Sequence, residues 1–298
     1  MPPIDLSTLP LRPVTRFAPS PSGYLHLGHV ANAVWTWGIA RAAGGSVLLR
    51  IEDHDRGRSR PEYERAILED LEWLGLSPDR GRALRQSDHD AAYRRATLLL
   101  ARRSQVYACR CSRAAIAREL AAVGEEELDE LRYPGTCRDE RLPLSDAHGI
   151  RVAVRDVTVS FDDLRLGPQR QTPADQCGDV LLRDANGNWT YQHCAAVDDT
   201  RQGVTLVVRG EDLLASTGRQ ILLAKWLGRA EPAAFLHHPL IFSAEGVKLS
   251  KRDHATGIRE LRSAGRTAAD VLGEAAYRTG LIPEARPVQA SDLAGLFR

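Results

Sequence analysis

Residues 14–29 read VTRFAPSPSGYLHLGH, and this stretch predicts how the chain begins to fold. Val14–Ala18 is a short strand candidate, which the Pro- and Gly-containing loop after it interrupts. From Gly28 to Ala43 the pattern is helical, and Gly44-Gly45 ends it as a C-terminal cap does. A strand-length apolar run, SVLLRI, follows at residues 46–51. This order of strand, helix and strand is typical of a parallel α/β sheet.

The rest of the chain continues this alternation after one interruption. Three further elements complete the first half of a doubly wound sheet: a helix from Pro61 to about Leu74, a strand at Ala83–Gln86 and a helix at Asp88–Arg103. In the second half we expect strands at Asp179–Arg183, Val204–Val208 and Phe235–Phe242, and helices at Tyr191–Gln202 and Asp212–Leu227. The expected units are residues 14–105, an insertion at 106–178, the second α/β half at 179–242 and a loop with a C-terminal helical region at 243–298.

The composition of the chain indicates a globular protein and gives no sign of a membrane protein or of a strongly basic nucleic-acid binder. The chain has 298 residues, 43% of them hydrophobic, which is enough for a substantial core. Its 40 basic and 39 acidic residues give a net charge of +1, so overall charge does not indicate a nucleic-acid binder. It has no apolar run of transmembrane length and no signal-peptide pattern, which favours a soluble cytoplasmic protein.

A short histidine motif lies where anions bind readily. His26-Leu27-Gly28-His29 opens the first helix, whose N-terminus presents N–H groups and a partial positive charge. The two histidines lie on one helical face, and Gly28 leaves room for a base or a phosphate to approach the backbone. Taken alone, the motif also fits an ordinary capped helix start with surface histidines.

A lysine motif lies near the other end of the chain. Only three of the 40 basic residues are lysines, and two of these fall in Lys248-Leu-Ser-Lys251-Arg252. Two ammonium groups on a mobile loop can close over a polyphosphate as charge develops on its leaving group. Taken alone, this motif also fits a solvated basic turn.

Together the two motifs resemble the signature pair of class I aminoacyl-tRNA synthetases. Residues 15–29 and the LRIEDHD stretch at residues 49–55 resemble the glutamyl/glutaminyl branch. Within that branch the chain is most similar to the glutamyl-Q tRNA(Asp) synthetases, the short paralogs of glutamyl-tRNA synthetase. The resemblance implies a Rossmann-type nucleotide fold. Because so little sequence follows Arg252, we expect no anticodon-binding domain.

The resemblance implies a role for each matching residue. The residues expected to hold glutamate are Arg16, Ser20, Glu52, Tyr191 and Arg209. Those expected to bind ATP are His26, Gly28, His29 and Lys251, and the expected catalytic set is His26, His29, Lys248 and Lys251. Judged from the residues alone, Arg16 and Glu52 could instead form an ion pair at the strand ends. Tyr191 could instead be a core aromatic of a hairpin.

The implied reaction has two steps and three substrates. L-Glutamate attacks ATP, held with Mg²⁺, to give glutamyl-adenylate, and the glutamyl group then passes to a hydroxyl of queuosine, the modified wobble base of tRNA(Asp). The alternatives are a short glutamyl-tRNA synthetase that charges a tRNA 3′ end, and a catalytically silent tRNA-binding paralog. The intact motifs disfavour the silent paralog, and the short tail disfavours the short synthetase. A monomer without membrane contact is the default expectation.

Five cysteines in a cytoplasmic chain argue against a disulfide framework. Cys109, Cys111 and Cys137 form a metal candidate, because three thiolates and one further ligand suit one tetrahedral, structural Zn²⁺. The resemblance implies Tyr133 as the fourth ligand, whereas ordinary ligand preference favours His148. Reduced cysteines near a loop are the alternative to a metal site. The other two, Cys177 and Cys194, fit structural positions.

Overall fold

The computed structural model describes residues 4–103, 105–122, 124, 130–242 and 257–297. The β-strands within these residues are β1 (Val14–Phe17), β2 (Ser46–Ile51), β3 (Leu84–Arg85), β4 (Val106–Cys109), β5 (Gly149–Val152), β6 (Val159–Asp163), β7 (Gly167–Gln171), β8 (Val180–Arg183), β9 (Leu206–Gly210) and β10 (Ala234–His238). The α-helices are α1 (Leu27–Ala42), α2 (Pro61–Trp73), α3 (Asp90–Arg103), α4 (Arg113–Ala122), α5 (Pro173–Gln176), α6 (Tyr191–Arg201), α7 (Thr217–Trp226), α8 (Ile258–Ser263) and α9 (Ala268–Arg278). Four 3₁₀ segments accompany them at Leu6–Thr8, Gln86–His89, Glu211–Ser216 and Ala290–Phe297.

Two parallel sheets form the body of the protein. One has the order β1-β2-β3, and in the other β9, β10 and β6 run parallel while β7 pairs antiparallel with β6. β9 lies beside β1, because the Thr205 amide donates to the Val14 carbonyl at 2.9 Å and Arg16 reaches the Val208 carbonyl at 3.3 Å. The combined order 3-2-1-9-10 is that of a doubly wound fold, which confirms the expected fold class.

The strand pairings differ from the sequence interpretation at two places. β8, expected to resume the parallel sheet, pairs antiparallel with β5 in a separate sheet of order β4-β5-β8. β6 and β7 fall within residues 106–178, the expected insertion, yet β6 pairs with β10 of the parallel sheet and β7 pairs with β6. Hydrophobic runs of this length do not specify a partner strand, so neither pairing was readable from the sequence. The unit boundaries at 105, 178 and 242 stay predictions.

Most elements match the predicted bounds within a few residues. The main difference is the helix expected at Asp212–Leu227, which begins as a 3₁₀ segment and becomes α-helical only at Thr217. The Asn186-Gly187 pair, a sequence typical of hairpin turns, forms a turn here, since Gly187 has φ +84° and Arg183 bridges Trp189. Such a positive φ is cheapest for glycine.

The C-terminal helices pack on the first helix of the sheet domain. The indole N–H of Trp35 in α1 donates to Thr279 Oγ1 at 3.0 Å, just after α9. Phe297 meets the Trp35 ring edge-on at 5.3 Å between centroids. Gly38 makes room for Phe297, because a Cβ there would lie 2.2 Å from its ring. None of the helices described is long and apolar enough to cross a bilayer.

Candidate active site

The candidate site lies where β1 and β9 meet. In a doubly wound sheet the helices leave neighbouring strands in opposite directions at this point, and a crevice opens at the carboxyl ends of the strands. Arg16 is on β1, Arg209 is on β9 and Glu52 directly follows β2. Three of the five predicted glutamate ligands therefore lie at or near the carboxyl ends of these strands, although they are up to 193 residues apart in sequence.

Arg16 and Glu52 do not pair with each other, so the simple ion pair considered from the sequence is absent from the described residues. Arg16 donates from Nε to Asp199 Oδ1 at 3.0 Å, and Glu52 Oε1 accepts from Arg50 at 3.0 Å. Arg50 also donates to Asp199 Oδ1, at 2.6 Å. Asp199 and Arg50 thus link the two predicted ligands in one buried network.

Electrostatics keep this network ionised. Burial raises the pKa of Asp199, but the guanidinium groups of Arg16 and Arg50 outweigh that effect and bring the pKa down to about 2. The Arg50 side chain is fully buried, and burial alone would lower its pKa, yet Asp199 and Glu52 raise it above the ordinary arginine range. A charged, rigid network of this kind fixes the guanidinium of Arg16 before a substrate arrives.

Arg209 lies in a second buried cluster, facing Tyr191 at the start of α6. Its Nε donates to His237 Nε2 at 3.0 Å, and its terminal nitrogens donate to Tyr191 Oη at 3.3 Å, Gln220 Oε1 at 2.6 Å and Thr217 Oγ1 at 2.8 Å. Tyr191 is half-buried and opens a helix, so it is not the hairpin core aromatic considered from the sequence. The structure brings Tyr191 and Arg209 together.

The histidine motif caps α1. His26 is the N-cap residue, its Nδ1 accepts from the Gly28 amide at 3.1 Å, and His29 Nδ1 accepts from the His26 amide at 3.1 Å. The two rings are 4.0 Å apart between centroids. A Cβ on Gly28 would lie 2.9 Å from His26 Cε1, so glycine makes room for that imidazole. Ser20, on the loop before the motif, donates to Ser22 Oγ at 3.3 Å.

Residues downstream of the lysine motif return to the histidine motif. Gly257 forms a β-bridge with His26, and the Ile258 amide donates to the Leu25 carbonyl at 3.0 Å. Arg259 then lies over the ring of Tyr24, with Cζ 4.9 Å from its centroid. Lys248 and Lys251 themselves lie outside the described residues, so their predicted roles stay predictions.

Three of the five cysteines form one cluster. The Sγ atoms of Cys109, Cys111 and Cys137 all lie within 4.8 Å of one another, and those of Cys111 and Cys137 are 3.4 Å apart. All five cysteines are free thiols, as expected. A tetrahedral zinc with Zn–S bonds of about 2.3 Å would hold its sulfurs about 3.8 Å apart. The donor set and spacing therefore fit a metal ion.

Tyr133 reaches this cluster and His148 does not. Tyr133 Oη is 3.4 Å from Cys109 Sγ and 3.9 Å from Cys111 Sγ, and its ring is buried. His148 Nδ1 lies instead near Ser145 Oγ at 3.1 Å. Arg151 lies over the Tyr133 ring at 3.7 Å and donates to Cys109 Sγ at 3.3 Å. A cation in this position would offset part of the charge of several thiolates.

A cavity of about 650 Å³ connects the cysteine cluster with α6 and α7. Cys109 and Arg113 line it from the side of the β4-β5-β8 sheet, and Gln192 and Arg219 line it from the other side. Gln192 Oε1 accepts from Gln220 at 2.8 Å, and Gln220 is the residue that accepts from Arg209. Hydrogen bonds thus join the cavity wall to the Arg209 cluster.

Sequence reasoning missed several residues of the site. These are Arg50, Asp163, Asp199, Thr217, Gln220 and His237. Arg50 gave a visible signal, because it interrupts an apolar strand that is otherwise buried. The Asp198-Asp199 pair near the end of α6 and the His237-His238 pair on β10 were equally unusual for buried elements.

Comparisons with known proteins identify the same family that the sequence motifs resemble. Residues 13–285 match the family of class I tRNA synthetases (E and Q), catalytic domain. The chain is 41% identical over 296 residues to a glutamyl-Q tRNA(Asp) synthetase of Symbiobacterium thermophilum, a match that covers 95% of this chain and 91% of that protein. It is 42% identical over 270 residues to glutamate–tRNA ligase 2 of Acidithiobacillus ferrooxidans, covering 86% of this chain but 55% of the relative.

A solved structure shows the same fold. A glutamate tRNA ligase from Elizabethkingia meningosepticum, in complex with its amino acid, superposes with a TM-score of 0.78 at 27% identity. The match covers 95% of this chain and 64% of the ligase, so the chain spans just under two thirds of that protein.

Proposed function

Because this chain belongs to the glutamyl-Q tRNA(Asp) synthetase family of class I aminoacyl-tRNA synthetases, we propose that it activates L-glutamate with ATP and transfers it to queuosine in tRNA(Asp). The observation that carries the proposal is the convergence of Arg16, Glu52 and Arg209 at the carboxyl edge of the sheet, beside the histidine motif. A site with two guanidinium groups and one carboxylate suits a ligand with two carboxylates and one ammonium group.

Each residue has a distinct part in activation. Arg16 and Arg209 bind carboxylate oxygens of glutamate, Glu52 binds its ammonium group, and Ser20 and Tyr191 add hydroxyl contacts. His26 and His29 donate to ATP phosphates at the N-terminus of α1, where Gly28 keeps the backbone accessible. Lys248 and Lys251 stabilise the leaving pyrophosphate. Mg²⁺ bound with ATP would neutralise phosphate charge.

The two steps need positioning and charge but no protein nucleophile. A carboxylate oxygen of glutamate attacks the α-phosphorus of ATP, the bond to the bridging oxygen breaks, and pyrophosphate leaves. A hydroxyl of the queuosine diol then attacks the glutamyl carbonyl, loses its proton, and releases AMP. The 650 Å³ cavity supports an approach of the acceptor base from the side of the cysteine cluster, because its wall is hydrogen-bonded to the Arg209 cluster.

A structural zinc ion fits the proposal. Cys109, Cys111 and Cys137 would hold it, with Tyr133 rather than His148 as the fourth ligand. The metal would fix β4, from which Cys109 comes, relative to the loop that carries Cys137. We also propose that the protein acts as a cytoplasmic monomer, with residues 106–178 as the inserted unit that approaches the RNA.

A labelling experiment tests the proposal. The purified protein would receive ATP, Mg²⁺, labelled glutamate and tRNA from cells that make or lack queuosine. We expect label only on queuosine-containing tRNA(Asp), and we expect periodate oxidation of the diol beforehand to abolish it. Equal labelling of both tRNA pools through the 3′ end would instead support a glutamyl-tRNA synthetase, the class of the 42% identical glutamate–tRNA ligase 2. No glutamate-dependent pyrophosphate exchange would indicate a silent paralog.

A further inference from the structure

His237 orients Arg209 by accepting a hydrogen bond from its guanidinium group. The Arg209 Nε–H points at His237 Nε2 at 3.0 Å, and the Arg209 residue is only 2% exposed. A guanidinium group carries five N–H donors and no acceptor, so this contact requires a lone pair on His237 Nε2. The imidazole must therefore carry its proton on Nδ1.

Asp163 supplies the reason for that tautomer. Its Oδ2 lies 2.7 Å from His237 Nδ1 and also accepts the His237 amide at 3.0 Å. A carboxylate only accepts, so it keeps the proton on Nδ1 and leaves Nε2 unprotonated. Both side chains are fully buried, which excludes water as a competing partner.

A protonated imidazole would meet the guanidinium of Arg209 as a like charge. Burial holds the pKa of His237 below its ordinary value, and the nearby charge of Arg209 acts in the same direction, while the hydrogen bond to Asp163 opposes both. Arg165, in the turn between β6 and β7, adds a second nearby positive charge that also lowers the pKa of His237. Its Nε donates to the His237 carbonyl at 2.5 Å.

The remaining contacts then set which N–H of Arg209 faces the substrate. Gln220, Tyr191, Thr217 and His237 take four of its five N–H groups within the described part of the chain. Thr217 Oγ1, which accepts from Arg209, also lies 3.2 Å from His237 Nε2 and so packs against the imidazole. The guanidinium is thereby locked in one orientation, with one terminal N–H left for a ligand.

We propose that Asp163 and His237 are positioning residues for glutamate: the pair presents a neutral imidazole acceptor that orients Arg209 toward a carboxylate of the substrate. This inference rests on the proposed function, because Arg209 binds glutamate only within it. A donor-only guanidinium fixed in this way favours a carboxylate over the amide of glutamine, since it offers nothing that an amide N–H can use.

Two substitutions at His237 distinguish the loss of its hydrogen-bond acceptor for Arg209 from a loss of side-chain packing. In His237→Asn the amide nitrogen can replace Nδ1 and donate to Asp163, but nothing accepts from Arg209. In His237→Gln the longer side chain can place an oxygen near the Nε2 position and keep that acceptor. His238→Asn is the matched control, because His238 is the next residue on β10, is similarly buried and packs on Trp35.

The assay is glutamate-dependent pyrophosphate exchange with ATP. We expect His237→Asn to raise the KM for glutamate about tenfold or more, because hydrogen bonds to charged groups usually change an equilibrium by at least that factor. The KM for ATP should stay within about threefold of the wild-type value, because Arg209 binds glutamate and not ATP in the proposed function. His237→Gln should recover most of the loss, and His238→Asn should lower the Tm without changing the KM for glutamate.

Three results would overturn the inference. They are an unchanged KM for glutamate in His237→Asn, equal impairment in His237→Gln, or parallel rises in both KM values. If His237→Asn does not fold, ¹⁵N NMR of the histidine-labelled wild type gives the test instead: His237 should carry its proton on Nδ1, and a proton on Nε2 would overturn the inference. A wild type without glutamate-dependent exchange would contradict the proposed function itself.

Discussion

Asp199→Asn removes the charge that holds Arg16 directly, and Glu52 through Arg50, two residues predicted to bind the substrate. Asp199 Oδ1 accepts from Arg16 at 3.0 Å and from Arg50 at 2.6 Å, and all three residues are buried. Asparagine keeps the shape and one acceptor oxygen but leaves two guanidinium groups without their shared carboxylate. Removing one partner of a buried ion pair typically costs about 3–5 kcal/mol.

The pKa of Asp199 gives a second measure of the same effect. A fall from 3.8 to about 2 corresponds to roughly 2 kcal/mol of stability. Because the folded-state pKa is depressed, this contribution is complete above pH 4 and is lost as the pH falls toward 2. The two values together predict that Asp199→Asn lowers the free energy of unfolding by about 3 kcal/mol at pH 7. For a chain of this size, that loss lowers the Tm by about 5 °C.

Thermal unfolding and pyrophosphate exchange measure the two consequences. We expect Asp199→Asn to have the lower Tm at pH 7, a smaller difference from wild type at pH 3, and a KM for glutamate raised about tenfold. Asp198→Asn is the control, because this adjacent carboxylate is buried and accepts from Tyr93 Oη at 2.7 Å instead. An unchanged Tm at pH 7, or a KM for ATP that rises with that for glutamate, would refute the reasoning.

The remaining predictions concern zinc, pH and ATP. Tyr133→Phe should lower the bound zinc per chain, measured by elemental analysis, and unchanged zinc would count against Tyr133 as a ligand. Gly178→Ala should also lower zinc content, since Gly178 has φ +66° and a Cβ would lie 1.9 Å from the Tyr133 carbonyl oxygen; Gly187→Ala, with φ +84° and no atom within 4 Å of its Cβ, should retain the metal. Burial raises the pKa of Asp70 to about 6, so its ionisation destabilises the folded state as the pH rises through that value. Asp70→Asn should be more stable than wild type by about 3 kcal/mol at pH 8 and by little at pH 4; equal differences at both pH values would contradict this. His29→Ala should raise the KM for ATP severalfold and leave that for glutamate unchanged, and the opposite pattern would reassign the motif.

The local elements were predictable because their signals are local. The loop and cap residues around residues 14–29 predicted β1 and α1, and Gly44-Gly45 marked where the helix ends. The alternation that followed was sufficient for the doubly wound class. The partner of β8 was not predictable, because a strand with an apolar run of only three residues fits either sheet and only long-range packing decides between them.

For the candidate site, the sequence predicted the residues expected to bind substrate but not the residues that orient them. Arg16, Glu52 and Arg209 could be named because they resemble residues of a known family. The groups that orient them could not, because Asp199, His237 and Asp163 act through contacts between β1, α6, β6, β9 and β10 that no local pattern encodes. Tyr133 likewise needed the fold to bring it to the cysteines.

The proposed function depends on where the glutamyl group is attached. Queuosine-containing tRNA(Asp), incubated with the protein, ATP and glutamate, would be digested to nucleosides and analysed by mass spectrometry. We predict that the added glutamyl mass appears on the queuosine nucleoside and that the 3′-terminal adenosine stays unmodified. A glutamyl group on the terminal adenosine, with queuosine unchanged, would contradict the proposal.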